Sequence, residues 1–119
     1  MSGSIGAALL GAIVLVAAMP NAEAQTPERV FRQRCASCHA LDQNRFGPAL
    51  RGVVGRRAGA RRGFGYSPAL RASGLVWDET LLDRWLQGPS RLAPGARMPA
   101  RVADANERRL VIEYLRQNP

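Results

Sequence analysis

Cys35-Ala36-Ser37-Cys38-His39 sets two thiols three residues apart and an imidazole directly after the second. Residues three apart share a face on a helical turn, so both thiols reach one flank of the chain. Three chemistries use such a pair. A thioredoxin-like dithiol needs a βαβ context, and no stretch of this chain alternates as strands do. A tetrahedral zinc site wants four ligands. The chain has no other Cys and no other His, so only carboxylates are left to complete one. Cys-x-x-Cys-His is the attachment signature of c-type haem. Each thiol adds to one haem vinyl group, and the next residue presents an imidazole to the iron. The expectation is one covalent haem c, with Cys35 and Cys38 as anchors and His39 as iron ligand.

The N-terminal stretch says where such a group is attached. Ile5 to Met19 is an unbroken run of apolar and small residues, ended by Pro20. Ala22-Glu23-Ala24 follows, with small residues at the two positions that signal peptidase reads. The pattern predicts a secretory signal peptide over 1–24 and a mature domain over 25–119. No Lys or Arg precedes the apolar run. The rival reading is an uncleaved anchor, but the run is shorter than the roughly 20 residues a spanning helix needs. The mature protein is expected in the periplasm, without stable membrane insertion.

Once the leader is gone, Met98 is the only Met in the chain. A lone Met is often a core gap-filler. This one stands in Pro94-Gly95-Ala96-Arg97-Met98-Pro99, a loop where core packing is least expected. We therefore read Met98 as the second axial ligand, against an open or water-bound site. A thioether is soft and neutral, favours reduced iron and raises the potential. It also fills the position that oxygen or a substrate would need. A closed site on a redox centre points to electron transfer, and to no enzymatic turnover.

The rest of the mature chain reads as helices at the ends and a loop-rich middle. Thr26-Pro27-Glu28 starts a helix, with a hydroxyl cap, Pro at the first position and an acid in the first turn. From Ala40 to Tyr66 there is no period of 2 or 3.6, and six Gly break the segment up. A long structureless loop is unusual in a compact domain. It makes sense if it wraps something large that is not protein. Ser67 to Gly74 is a short helix, and Asp78 opens another through Leu81, Leu82, Trp85 and Leu86. Ser90 to Pro99 reads as loop. The last helix starts near Asp104 with Glu107 as a capping box, and Leu110, Val111, Tyr114 and Leu115 form its apolar stripe. Arg108, Arg109, Glu113 and Arg116 lie off that stripe.

All seventeen basic residues are Arg, against nine acids, for a net charge of +8. Loss of Glu23 with the leader makes the mature chain more basic still. A solvated surface is the plain reading, and a cationic face for acidic partners is the functional one. The Arg residues are scattered and joined to no nucleic-acid motif, so nucleic acid is not expected.

These motifs together resemble class I cytochromes c, and within them the mitochondrial cytochrome c and bacterial cytochrome c2 group. The resemblance runs from Phe31 to Leu115. It rests on Phe31 four residues before the Cys motif, Gly47-Pro48-Ala49-Leu50-Arg51-Gly52, Gly55-Arg56-Arg57-Ala58-Gly59, Gly65-Tyr66-Ser67, Gly74-Leu75-Val76-Trp77, Pro94 to Met98, and Glu107-Arg108 before Tyr114-Leu115. It implies an all-α fold of three to five helices and long loops wrapped around one haem. It also implies roles. The Pro48 carbonyl would orient His39. Tyr66 and Trp77 would donate to a haem propionate, with Arg56 nearby to offset its charge. Trp85 would stand beside Met98 where the family usually has Tyr. Phe31 and Tyr114 would meet where the terminal helices cross. Core packing is the plain alternative for these aromatics.

Four positions depart from the family pattern. Pro27 replaces a small residue at the helix crossing. Leu70 replaces Asn, Ala96 replaces Thr and Trp85 replaces Tyr, and the last three are expected to remove polar groups from the haem pocket. The function implied is a monomeric single-electron carrier. Its partners would be acidic docking faces of a quinol:cytochrome c reductase, an oxidase, a reaction centre or a dehydrogenase. Arg34, Arg45, Arg91 and Arg97 are the candidate docking cations. The alternatives are an electron-transfer subunit of a dehydrogenase, or a haem enzyme or gas sensor in which Met98 is displaced.

Overall fold

The computed structural model describes residues 1–18 and 25–119. Residues 1–18 form no helix or strand, and Ile5, Leu9, Leu10 and Ile13 stand in solvent. Ala22-Glu23-Ala24, where the leader is expected to end, lies outside the described residues. Among those residues no helix is long and apolar enough to cross a membrane.

The helices are α1 (Pro27–Arg34), α2 (Pro68–Ala72), α3 (Glu79–Gln87), α4 (Pro89–Leu92) and α5 (Ala105–Arg116). Four of them begin on a side chain that accepts the backbone N–H three residues on. These are Thr26 to Arg29 N at 3.2 Å, Ser67 to Leu70 N at 3.1 Å, Asp78 to Leu81 N at 2.7 Å and Asp104 to Glu107 N at 2.8 Å. Each bond satisfies a helix-start donor that would otherwise lack a partner. Gly74, just past α2, has φ +68, the left-handed conformation that ends helices at little cost to Gly.

α4 corrects the expectation of continuous loop over Ser90 to Pro99. Pro89 supplies a preset helical φ, and the Gly88 carbonyl accepts from both Arg91 N and Leu92 N. One turn forms before Pro94 and Gly95 stop it. The middle of the chain has no strand among the described residues, only an isolated antiparallel bridge between Arg57 and Val76.

The terminal helices cross through Phe31 and Tyr114, whose ring centroids are 4.6 Å apart. Val30 and Val111, one on each helix, are the most completely buried large side chains. Pro27 is the first residue of α1 and is half-buried. α5 presents Leu110, Val111, Ile112 and Leu115 to the core.

Polar side chains lock these helices in register. The Asp104–Glu107 capping box is only half made. Asp104 caps the Glu107 N–H, but the Glu107 carboxylate takes both prongs of Arg34, at 2.7 and 3.0 Å. That pair ties the end of α1 to the start of α5, and it also engages a guanidinium that we had read as a docking cation. Arg108 lies off the apolar stripe, yet its side chain is only 11% exposed. It donates to Asp83 on α3 at 2.8 Å and to the Val102 and Ala103 carbonyls at 3.1 and 2.7 Å. Arg116 reaches Glu79 on the same helix at 3.2 Å.

Arg108→Met keeps the aliphatic stem and removes three hydrogen bonds to one buried guanidinium. It is expected to cost about 2 kcal/mol of stability, read from denaturant unfolding of the holoprotein. A loss below a few tenths of a kcal/mol would mean that water replaces these bonds freely.

Candidate functional site

The Cys motif continues from α1 as one further turn. Cys35 N donates to the Phe31 carbonyl at 2.8 Å, and the Cys35 carbonyl accepts from Cys38 N and His39 N at 3.1 and 2.9 Å. Both thiols are free, Cys35 buried and Cys38 half-buried. Burial pushes the Cys35 thiol up to about 12, with repulsion from Cys38 adding to it. A redox-active dithiol needs a lowered thiol pKa, so this pair is built the wrong way for thioredoxin chemistry. No cluster of three metal-binding side chains of the kind zinc requires occurs among the described residues.

His39 is held from two sides. Its Nδ1 lies 2.7 Å from the Pro48 carbonyl, and since a carbonyl only accepts, the ring nitrogen must be the donor. In the neutral ring, Nε2 then keeps its lone pair. Burial lowers the imidazole's pKa, and the Pro48 bond opposes that shift. Gly47 lies against the ring face. A Cβ there would overlap Cε1 and sit 2.7 Å from both ring nitrogens. Nothing in the sequence marks this contact beyond a Gly next to Pro48.

The long loop encloses a cavity of about 360 Å³. Cys35, Cys38, His39 and Met98 line it, together with Pro48, Arg56, Tyr66, Trp77 and Trp85. All the anticipated site residues therefore meet on one wall system. The loop keeps its shape through paired returns: Leu50 N to the Ala40 carbonyl at 3.0 Å and Arg51 N to the Leu41 carbonyl at 2.9 Å. Asn44 staples it further, donating to the Arg62 carbonyl and accepting from Ala49 N, both at 2.9 Å. Nothing in the sequence pattern pointed to Asn44.

The walls suit a large, mostly apolar group with an anionic edge. Arg56 is half-buried and forms no ion pair among the described residues. It spends its hydrogens on the Arg51 and Ala49 carbonyls, at 3.1 and 2.9 Å. Burial lowers its pKa, and Arg61 nearby lowers it further. A cation in that position calls for an anion. The Tyr66 hydroxyl accepts from Arg61 N at 3.2 Å, which leaves its proton to give. Burial raises its pKa, which keeps that proton in place. The Trp77 indole makes no hydrogen bond among the described residues. Its ring packs edge-on to Trp85, with centroids 5.1 Å apart.

Trp85 corrects the sequence reading. Its indole N–H donates to the Met98 sulfur at 3.2 Å, so the exchange of Tyr for Trp keeps a donor beside the thioether. Ala96 corrects it too, since it packs against the core and is not on the cavity wall. Of the three departures expected to dry the pocket, only Leu70 puts an apolar side chain on that wall in place of a polar one.

Five helices among the described residues, set around an apolar cavity with two cysteine sulfurs and an imidazole on its wall, define a small all-α protein shaped to hold a covalent haem. The sequence profile of the family described as "Cytochrome C oxidase, cbb3-type, subunit III" matches residues 22–115. "Cytochrome c type-1" of Ascaris suum is 36% identical over 102 residues, which is 83% of this chain and 91% of that one. "Cytochrome c2" of Blastochloris viridis is 35% identical over 116 residues, 92% of this chain and 91% of that one. The structure of cytochrome cH from Methylobacterium extorquens superposes with a TM-score of 0.72 at 38% identity, covering 76% of this chain and 94% of the other. Ferricytochrome c2 from Rhodopseudomonas palustris gives 0.74 at 34% identity, over 78% and 96%. The chain belongs to the cytochrome c family, in its class I branch. Like the rest of the family it carries one covalently bound haem c with iron, and it is an electron carrier rather than an enzyme.

Proposed function

We propose that this protein is a soluble, monomeric single-electron carrier outside the cytoplasm, with its haem iron held between His39 and Met98. The observation that carries the reading is that Cys35, Cys38, His39 and Met98 line one cavity. The bound haem supplies the reversible one-electron couple. The chain's own residues do the rest. Cys35 and Cys38 anchor the group, and Pro48 holds His39 in orientation through Nδ1. Trp85 holds the Met98 sulfur. Arg56, Tyr66 and Trp77 would offer a cation and two donors to the haem's propionates. With His39 and Met98 both holding the iron, no place would be left for oxygen or a substrate, and the apolar wall would keep reorganisation small on electron gain and loss. The partners in this reading are acidic docking faces of a quinol:cytochrome c reductase, an oxidase, a reaction centre or a dehydrogenase, met by the basic surface.

The leader over 1–24 belongs to the same reading, since covalent attachment would follow export to the periplasm. The mature chain should begin at Gln25, and intact-mass measurement of the secreted holoprotein checks this. The test of the site is the visible spectrum. A low-spin haem with the weak far-red band of sulfur ligation is the expected result. A high-spin spectrum, or fast carbon monoxide binding to the reduced protein at neutral pH, would overturn the ligation and favour a gas-binding role.

A second reading has one observation in its favour. The matching family description names an oxidase subunit. A stable electron-transfer subunit would co-purify with a larger complex through gel filtration at moderate salt, and a free carrier would elute alone.

A further inference from the structure

Outside the leader, Phe46 and Val76 are the large apolar side chains left in solvent among the described residues. Phe46 is the more exposed, at 74%, and it borders the cavity that holds Cys38 and His39. It is not loosely held. Arg45 N donates to the Gly47 carbonyl at 2.9 Å, and Gly47 N donates to the Cys38 carbonyl at 2.8 Å. The backbone on both sides of Phe46 is thus tied, directly or through one residue, to the Cys-motif turn. An exposed aromatic on a fixed backbone has only two side-chain torsions left to order when a partner covers it, and aromatic residues are the usual anchors at interface centres.

Apart from Asp42, which Arg51 pairs, the sequence on either side of it carries charge of one sign. No acid occurs from Gln43 to Trp77, or from Arg84 to Ala103. Of the Arg residues within those stretches, only Arg51 forms an ion pair among the described residues, with Asp42. Arg45 adjoins Phe46 in sequence, and Arg97 lies on the wall of the same cavity. Both are exposed, and their hydrogen bonds go to the Ala36 and Gly65 carbonyls at 3.4 and 3.5 Å. These bonds are long enough for a carboxylate to displace them. An apolar tip among unneutralised cations fits a recess ringed by acids.

We propose that Phe46 is the apolar anchor of the docking face, entering an apolar recess on an acidic redox protein while Arg45 and Arg97 meet carboxylates on its rim. This rests on the carrier reading given above and adds a division of labour to it. The cations steer the encounter and make it salt-sensitive. The phenyl ring holds the encountered complex together, and its contribution does not depend on salt.

The experiment follows oxidation of the reduced holoprotein by the soluble, acidic CuA fragment of a haem–copper oxidase, by stopped flow across a range of ionic strength. Phe46→Ser is expected to lower the second-order rate constant about fivefold at every salt concentration, leaving the slope against ionic strength unchanged. Phe46→Leu should restore most of the rate. Arg45→Gln should flatten the slope. A wild-type rate that falls with salt, together with a Phe46→Ser rate equal to it, would overturn the anchor and leave the carrier reading standing. A wild-type rate indifferent to salt would overturn the part given to Arg45 and Arg97, and with it the acidic rim of the proposed partner.

Discussion

Met98→Ala is expected to abolish the far-red sulfur band, open the reduced protein to carbon monoxide, and lower the midpoint potential by on the order of a few tenths of a volt, within the roughly 0.8 V that axial ligands span. A thioether stabilises reduced iron because it is soft and uncharged, and water or hydroxide in its place does the reverse. Trp85→Phe tests the support of the proposed ligand apart from the ligand itself. It removes the 3.2 Å N–H···S bond and leaves Met98 in place. One hydrogen bond has a net worth of about 1 kcal/mol. Added imidazole should therefore bind the oxidised Trp85→Phe protein about fivefold more tightly, while the far-red band persists before imidazole is added. Redox titration and ligand titration read the two variants. A Met98→Ala protein that stayed low-spin at an unchanged potential would remove Met98 from the ligand set.

The parts of this molecule that the sequence made legible are those governed by local chemistry. Thr26, Ser67, Asp78 and Asp104 cap the helices where expected, because a cap is a bond between residues three apart. The Cys motif is equally local, set on a turn that its own backbone bonds define. What the sequence hid depends on side chains that meet from afar. Glu107 satisfied the spacing of a capping box, yet its carboxylate goes to Arg34, which the fold brings alongside. Arg108 lies off the apolar stripe on the helical wheel. It is tucked in because Asp83 and two carbonyls lie within its reach. Trp85 looked like the loss of a polar group, because the position was judged against the usual Tyr. The indole N–H reaches the sulfur anyway. Family motifs marked which residues gather at the cavity, and only the fold shows which donor serves which acceptor.

Gly47→Ala should be among the most damaging single-methyl changes in the molecule. Glycine is often kept for backbone freedom, but Gly47 is not among the glycines with positive φ, so alanine meets no backbone strain there. By that reasoning alone the change would be neutral or slightly stabilising, since it restricts the unfolded chain. The contact with His39 reverses the sign. The new Cβ would overlap the imidazole, and neither party has room to yield. Gly47 N is bonded to the Cys38 carbonyl, and His39 Nδ1 is bonded to the carbonyl of Pro48, the very next residue. Relief requires breaking one of those bonds or tilting the ring out of the orientation that Pro48 sets. Overpacking of a tight site costs about 1–3 kcal/mol, and losing the ring's orientation would add weakened ligation. The expected result is a lower yield of holoprotein, a lower unfolding midpoint in denaturant, and a rise in high-spin haem. If Gly47→Ala matched the wild type in stability and spectrum, the imidazole would be positioned by Pro48 and its other contacts, with no part played by the glycine face.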